Sequence, residues 1–204
     1  IVEVQKVELC EDSACSTSTT VGDTSASFNI ASSSAGAEVG SFAKTTGLPL
    51  GTTFTHLRVT VSRTFTIKGS VTTDNGDCMT DGGTDAGATQ LLVGKLTGSA
   101  VSTSMFLPNT GSYGATDGTR DGDVGSSNID MDYSHPQFAT SMTVSGSTAA
   151  MIYQLTNPYT VKFKSPLIKV KFQTNDAVGA FRLDAATDVC SMYPEEPLVS
   201  IDIQ

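Results

Sequence analysis

The segment Thr52–Val71 constrains the fold most strongly, because its side chains alternate between apolar and polar residues. The odd positions from 57 to 67 are apolar apart from Arg63, and the even positions from 56 to 66 are polar. This period of two is typical of a β-strand that buries one face. A straight strand over the seventeen residues of positions 55–71 would extend about 55 Å. We therefore predict a bend or bulge near Arg63, where the strand either leaves one sheet or meets a carboxylate across a subunit boundary.

Shorter alternating segments along the chain predict an all-β protein. They are separated by Gly, Asn and Pro residues, which favour turns. The other predicted strands are Ile1–Cys10, Ser25–Ala31, Leu91–Leu96, Ala100–Leu107, Ser141–Ser145, Ala150–Leu155, Tyr159–Phe163, Pro166–Thr174, Val178–Leu183 and Leu198–Ile203. They predict an Ig-like antiparallel sandwich of two sheets in one domain, 1–204, with a loop-rich insertion at about 72–150.

The first predicted strand contains an irregularity. The apolar phase of Ile1–Cys10 changes at Gln5 and Lys6, which predicts a β-bulge or two short strands with different neighbours. The Thr-rich segment that ends at Thr24 is expected to connect two strands of a hairpin.

Three segments are not predicted to be strands. Ser32–Gly47 begins with capping Ser residues and ends with Gly, so it predicts one short helix. Thr72–Gln90 and Asn109–Asn128 are rich in Gly and Asp and predict long loops. Loops of this length are uncommon in compact domains and are often functional or interfacial.

The four cysteines predict two disulfide bonds. An even count in a Thr-, Ser- and Gly-rich acidic chain indicates an oxidising compartment. Cys10 and Cys15 are close enough to close the turn after the first strand, which leaves Cys78 to pair with Cys190. A zinc site is the alternative, but the spacing is wrong and neither histidine is near a cysteine pair in the sequence.

The charge balance excludes some classes of partner. The net charge is −9, so the surface should repel nucleic acid and anionic membranes. No apolar run reaches the length of a membrane span, so we expect no membrane insertion. Because the chain begins at Ile1 without Met, we expect a mature, processed product.

Acidic residues cluster in the two predicted loops. They are Asp74, Asp77, Asp81 and Asp85 in the first, and Asp117, Asp121, Asp123, Asp130 and Asp132 in or just after the second. Closely spaced carboxylates suit Ca²⁺, which takes six to eight oxygen ligands. The EF-hand spacing is absent, and solvated loops are the simpler interpretation. If a metal is bound, Asp121 and Asp123 are the first candidates; we expect no other cofactor.

The sequence predicts no catalytic residue. His56 lies on the polar phase of the long strand, and His135 lies in an extended segment. Glu195 and Glu196 are adjacent, but neighbours on an extended chain point in opposite directions and would not flank one glycosidic bond. Nucleophile-elbow, metalloprotease, P-loop and dinucleotide-binding motifs are all absent. We therefore expect that the protein is not an enzyme, with a hydrolase of dispersed active site as a minor alternative.

Parts of the sequence resemble secreted bacterial surface proteins and lipoproteins of unknown function. The N-terminal similarity lies in VEVQKVELCEDSAC, SFNIAS and GLPLGTTFTHLRVTVSRTFTIKG, within Val2–Gly69. The C-terminal similarity lies in VKFQTNDAVGAF and CSMYPEEPLVSIDI, within Val161–Ile203. The resemblance implies a transthyretin-like or pilin-like β-sandwich and carries over no catalytic residue.

Both chain ends are apolar. Because termini usually fray unless they dock against other residues, we expect something to hold both ends. The residues concerned are Ile1, Val2, Val4, Val199, Ile201 and Ile203. They are either ordinary strands of the monomer or a subunit interface. In the second case one terminus, with Ile1–Val4 preferred, completes the sheet of a neighbouring subunit by β-strand addition.

These observations predict an extracellular structural protein at the cell surface. Its partners would be copies of itself, assembled into a pilus-like filament or surface layer, because head-to-tail contacts do not close. The alternative is a monomeric secreted adhesin or carbohydrate-binding module that uses the Asp- and Gly-rich loops, with Ca²⁺ as a possible ligand.

Overall fold

The computed structural model describes residues 1–30, 47–73, 76–83, 92–106, 139–163, 166–173, 178–184, 189–194 and 198–203. These residues form strands in antiparallel sheets and contain no helix, so the predicted all-β class is confirmed for them. Within the same ranges no helix is long and apolar enough to cross a membrane. The predicted helix in Ser32–Gly47 and the predicted loop Asn109–Asn128 lie outside the described residues, apart from Gly47.

Fifteen strands are described. They are β1 (Val2–Cys10), β2 (Ser18–Gly22), β3 (Ala26–Phe28), β4 (Thr53–Ser62), β5 (Thr64–Ile67), β6 (Ser70–Thr73), β7 (Gly76–Thr80), β8 (Leu92–Lys95), β9 (Thr103–Phe106), β10 (Ser141–Ser145), β11 (Thr148–Thr160), β12 (Ile168–Gln173), β13 (Val178–Asp184), β14 (Val189–Pro194) and β15 (Leu198–Ile203). The predicted bounds of β10 and β15 are confirmed.

The large sheet contains six strands in the order β10-β11-β4-β1-β2, with β3 also paired to β1. The long alternating segment supplies its central strand, β4, which ends at Ser62. After Arg63 the chain continues as β5, which pairs with β9 in a separate two-stranded sheet. The predicted irregularity is therefore confirmed: Arg63 is the point where the chain leaves one sheet and enters another.

Arg63 is held at this point by the turn between β10 and β11. Its backbone N–H donates to the Ser147 carbonyl oxygen at 2.9 Å. Its guanidinium Nη1 donates to the Gly146 carbonyl oxygen at 2.6 Å, and the residue is only 4% exposed. Burial lowers the pKa of this guanidinium. The one charged residue on the apolar phase is thus used to fix the change of sheet.

The predicted bulge in the first strand is confirmed. The register between β1 and β4 shifts between Val4 and Lys6, so the phase change in the sequence corresponds to a real irregularity of the ladder. The prediction for the following segment is wrong in part, because Ser18–Gly22 is strand β2 and not a connection. The hairpin begins early: the Glu11 N–H already donates to the Thr17 carbonyl oxygen at 3.0 Å.

The main core contains buried side chains of the large sheet and of the C-terminal ribbon, the name used here for the antiparallel pair β12–β15. Its buried residues are Val7, Leu9, Phe54, Leu57, Tyr153, Leu155, Val161, Val199 and Ile201. Ile168, Val170 and Phe172 of β12 are half-buried and pack against it. Side chains from both sheets therefore exclude water from one shared core.

A second, smaller core belongs to the five-stranded sheet with the order β13-β14-β8-β7-β6. Its buried residues are Cys78, Cys190 and Met192. Two strands of this sheet contradict the predictions, because β7 lies within the predicted loop Thr72–Gln90 and β14 was not expected. In β7 the buried positions are Cys78 and Thr80, so the inward face carries a disulfide and a hydroxyl instead of an aliphatic pattern.

Candidate functional site

Both predicted disulfide bonds are confirmed. Cys10 pairs with Cys15, and Cys78 pairs with Cys190, with Cα–Cα distances of 4.9 Å and 6.0 Å. All four residues are buried. The bonds are consistent with an extracellular or other oxidising environment.

Gly94 has a structural role that the sequence did not indicate. It lies on β8 directly opposite Cys190 of β14. A Cβ atom at this position would lie 2.7 Å from the Cys190 Sγ and 2.9 Å from the Cys78 Sγ. Only glycine lets the long-range disulfide pass this close to the β8 backbone.

The Asp12 carboxylate, inside the Cys10–Cys15 loop, organises the backbone of this segment by hydrogen bonds. Asp12 accepts hydrogen bonds from the backbone N–H groups of Ala14, Ser16 and Thr17 at 2.9, 3.1 and 3.2 Å. The bonds from Ser16 and Thr17 are the main reason that the pKa of Asp12 lies below its ordinary value. These three N–H groups are therefore satisfied by Asp12 and are not directed at a ligand.

An ion-pair cluster lies on the face of the large sheet opposite the main core. Glu8 is only 4% exposed, and its Oε2 accepts from the Arg58 Nε at 2.7 Å. Its Oε1 accepts from the Lys6 Nζ at 2.9 Å and from the Ser18 Oγ at 3.2 Å. The Arg58 hydrogen bond is the main cause that lowers the pKa of Glu8 to about 2, against the opposing effect of burial. We call these four residues the Glu8 cluster.

The Glu8 cluster was missed because it depends on strand register. Glu8 and Arg58 are directly opposite each other on β1 and β4. The alternation within each strand predicts which face Glu8 and Arg58 lie on. It does not predict that the two residues lie opposite each other. The cluster ties β1, β2 and β4 together, and its geometry is that of a structural ion pair.

The described histidine has a local partner. The His56 Nδ1 lies 2.8 Å from the Thr55 Oγ1. Partial burial lowers the pKa of His56, and the nearby Asp12 carboxylate acts in the opposite direction. His135, Glu195 and Glu196 lie outside the described residues.

The predicted acidic sites are described only in part. Asp77 accepts from the Thr72 Oγ1 at 2.8 Å, and Asp81 accepts from the Gly83 N–H at 2.7 Å. Asp121 and Asp123, the first metal candidates, lie outside the described residues. In the described ranges no three His, Cys, Asp or Glu side chains are grouped to hold a metal ion.

The N-terminal interface candidates are engaged within their own chain. The Ile1 α-amino group donates to the Thr66 carbonyl oxygen at 2.6 Å, and the Thr66 N–H donates to the Ile1 carbonyl oxygen at 3.1 Å. Partial burial lowers the pKa of this amino group. Val2 and Val4 lie opposite Phe28 and Ala26 of β3. In this chain the Ile1–Val4 segment is therefore a paired strand.

The C-terminal interface candidates occupy a different position. Val199 and Ile201 are buried in the main core, and Ile203 is half-buried against it. Their strand, β15, pairs with β12 along its whole length. Among the described strands, β12 has no partner on its other side. In the part of the chain that the structure describes, the C-terminal ribbon therefore ends at β12.

Exposed apolar side chains lie next to this edge. Phe163 is 97% exposed and Leu167 is 50% exposed, immediately before β12. Leu50, at 59%, is adjacent to the same region, since the Gly51 N–H donates to the Val161 carbonyl oxygen at 3.1 Å. We use the term assembly edge for β12 together with Phe163 and Leu167.

No protein-family model, curated protein or solved structure matches this chain. Over the described residues, the fold and the cysteines define the class as all-β and disulfide-bonded, built from antiparallel sheets. The resemblance to secreted bacterial surface proteins with a transthyretin-like or pilin-like fold stays a prediction.

Proposed function

We propose that the protein is an extracellular structural subunit that assembles with copies of itself into a filament or surface layer. The observation that carries this proposal is the assembly edge, where exposed Phe163 and Leu167 precede β12, a strand that pairs on one side only among the described strands. A free edge presents N–H and C=O groups that another strand can pair with. The two buried disulfides support an extracellular location, where such bonds persist.

The proposal includes a sandwich architecture. The large sheet and the C-terminal ribbon form the two layers, since both contribute buried side chains to the main core. The ribbon layer has two described strands against six in the large sheet. A strand from a neighbouring copy next to β12 would extend the thinner layer.

The terminal segment that takes part is the C-terminal ribbon and not Ile1–Val4. Donating Ile1–Val4 to a neighbour would break the pairing of β1 with β3 and the two hydrogen bonds between Ile1 and Thr66. Pairing at β12 breaks no hydrogen bond of the described chain, because β15 is on the opposite side of β12. The strand addition is therefore at an edge that already exists in the monomer.

Covering Phe163 supplies part of the association energy. A Phe side chain that passes from full exposure to burial contributes about 2 kcal/mol. Because the side chain is 97% exposed in the single chain, its replacement should leave the fold intact. This separates an effect on assembly from an effect on folding.

Sedimentation velocity over a range of protein concentrations tests the proposal. The oxidised wild-type chain is expected to form large species as concentration rises, whereas the double variant Phe163→Ser and Leu167→Ser is expected to stay monomeric with an unchanged melting temperature. Val101→Ser is the matched control, since Val101 is 44% exposed and lies outside the assembly edge. A wild-type chain that remains monomeric at every concentration would contradict the proposal.

A further inference from the structure

The Cys78–Cys190 disulfide lies inside the five-stranded sheet, which we call the small sheet. The bond joins β7 to β14, two strands that are not neighbours in the sheet because β8 lies between them. Both cysteines are 0% exposed. The two end strands, β13 and β6, also contact each other, so the sheet curls. The disulfide therefore crosses the interior of a curled sheet and fixes two of its strands relative to each other.

The two cysteines supply most of the buried core of the small sheet. Among the described side chains this core has three buried members, and Met192 is the third. The main core has nine buried members in the same ranges, and none of those nine is a cysteine. Burial of apolar surface is the dominant favourable term in folding. Over the described residues the small sheet gains less from burial than the large sheet does, so it depends more on its covalent bond.

The site has no room for two separate thiols. A Cβ atom on Gly94 would lie 2.7 Å and 2.9 Å from the two sulfurs, so the β8 backbone is packed directly against the bond. The Lys95 carbonyl oxygen lies 3.7 Å from the Cys190 Sγ. A covalent bond holds two sulfur atoms closer together than two thiols can lie. Breaking the bond therefore pushes the sulfurs apart against β8, and a close-packed interior resists the added volume.

The Cys10–Cys15 disulfide has less structure depending on it. It joins residues 5 apart in the sequence, whereas Cys78 and Cys190 are 112 apart. A cross-link over a longer loop removes more freedom from the unfolded chain. The segment after Cys10 is also held by the N–H groups that bond to Asp12 and by the Thr55 Oγ1, which donates to the Glu11 carbonyl oxygen at 2.9 Å. Loss of the Cys10–Cys15 bond should therefore act only locally.

From these observations we infer that the Cys78–Cys190 disulfide is a redox-sensitive device, whose reduction opens the small sheet and leaves the large sheet folded. The strands of the small sheet make their contacts mainly with one another, so they can separate without breaking the strand pairs of the large sheet. The main core contains no cysteine among its described residues and is unaffected by a reductant. This inference does not depend on self-assembly.

The reductant is a dithiol. One of its thiolates attacks a cystine sulfur, which forms a mixed disulfide and releases the other cysteine as a thiol. The second thiol of the reductant then displaces the remaining cysteine and closes the cyclic disulfide of the reductant. Two electrons and two protons pass to the protein, which gains two thiols. Because both sulfurs are buried, the attack takes place when the small sheet opens locally.

Hydrogen–deuterium exchange of the full chain, read by mass spectrometry, tests the inference. The variant Cys78→Ala with Cys190→Ala is compared with the matched control Cys10→Ala with Cys15→Ala. In the first variant the amides of β7, β8 and β14 should exchange about tenfold faster than in wild type or more, whereas those of β4 and β11 should stay within about twofold. In the control the small sheet should keep its wild-type exchange rates.

The wild-type chain in dithiothreitol provides a second measurement, because it removes the bond without removing the sulfur atoms. It should show the same pattern once its mass shows that Cys78 and Cys190 are reduced. Unchanged protection of the small sheet in the reduced chain would overturn the inference, as would resistance of this bond to dithiothreitol. Equal loss of protection in both sheets would also overturn it, because the two sheets would then unfold as one unit. Loss of small-sheet protection in the control would show that the effect is not specific to Cys78–Cys190, and would overturn it as well.

Discussion

The Glu8 cluster makes part of the stability of this protein depend on pH. Arg58 and Lys6 hold Glu8 in its charged form and lower its pKa from 4.5 to about 2. One pKa unit corresponds to about 1.4 kcal/mol, so the ionised form should add about 3 kcal/mol to the free energy of unfolding at neutral pH. Only 6% of the Glu8 side chain is exposed, so solvent screens this ion pair less than a surface pair.

The pH dependence has a defined sign. Between pH 4.5 and about 2 the unfolded chain binds a proton at Glu8 while the folded chain does not. Protonation therefore favours the unfolded state as the pH falls. The contribution of Glu8 is fully present above pH 4.5 and is lost as the pH falls through about 2.

The substitution Glu8→Gln isolates this effect, because glutamine keeps the shape but cannot ionise. Urea denaturation at pH 6 should show the variant to be less stable than wild type by about 3 kcal/mol, and the gap should shrink below about 1 kcal/mol at pH 2. The control is Glu11→Gln, at an exposed carboxyl directly after β1. Its free energy of unfolding should stay within about 0.5 kcal/mol of the wild-type value at pH 6. A gap between Glu8→Gln and wild type that is the same at both pH values would refute the reasoning.

Two further substitutions test the packing. Gly94→Ala should lower the free energy of unfolding, measured by thermal denaturation, by about 1–3 kcal/mol, because the new Cβ contacts both sulfurs of the long-range disulfide. The control is Gly69→Ala, whose Cβ would have no atom within 4 Å and which should change the free energy of unfolding by less than half as much. Arg63→Ala should lower the free energy of unfolding by about 1–3 kcal/mol, because it removes a buried donor to the Gly146 carbonyl oxygen. Guanidinium chloride denaturation measures this loss, with Lys68→Ala at an exposed position as the control. An equal loss in both variants would show that the guanidinium does not fix the change of sheet.

The strands that could be predicted are those with one aliphatic face. β15 and the part of β4 from Leu57 to Val61 each alternate in a single phase, and the apolar side chains of that phase are buried or half-buried. The break at Arg63 was also predictable, since a charged residue on the apolar phase cannot continue into the core without a partner. The preferred disulfide pairing was found, because the short spacing of Cys10 and Cys15 favoured their bond among the three possible pairings and left Cys78 for Cys190.

The strands that were missed are held by long-range contacts that leave little local signal. β7 reads as a loop because its segment is rich in Gly and Asp, yet Cys78 and Thr80 are buried there. The disulfide to Cys190 and the hydrogen bond from the Thr80 Oγ1 to the Gly69 carbonyl oxygen, at 3.3 Å, hold the segment in the sheet. Tertiary context therefore overrides the low strand propensity of these residues.

The interface candidates show a related limit. Apolar residues at both termini could not reveal which terminus is enclosed by its own chain, because an apolar strand has the same pattern at a sheet centre and at a sheet edge. The fold separates them: β1 lies between β4 on one side and β2 and β3 on the other, whereas the ribbon containing β15 ends at β12, which has no second partner among the described strands. Candidate assembly surfaces therefore depend on strand order, which periodicity alone does not give.

Negative-stain electron microscopy of the purified, fully oxidised wild-type chain tests the central claim most directly. The assembly edge predicts elongated filaments or extended layers with a regular repeat. A field of single small particles at every protein and salt concentration would contradict the claim that this protein is a self-assembling structural subunit.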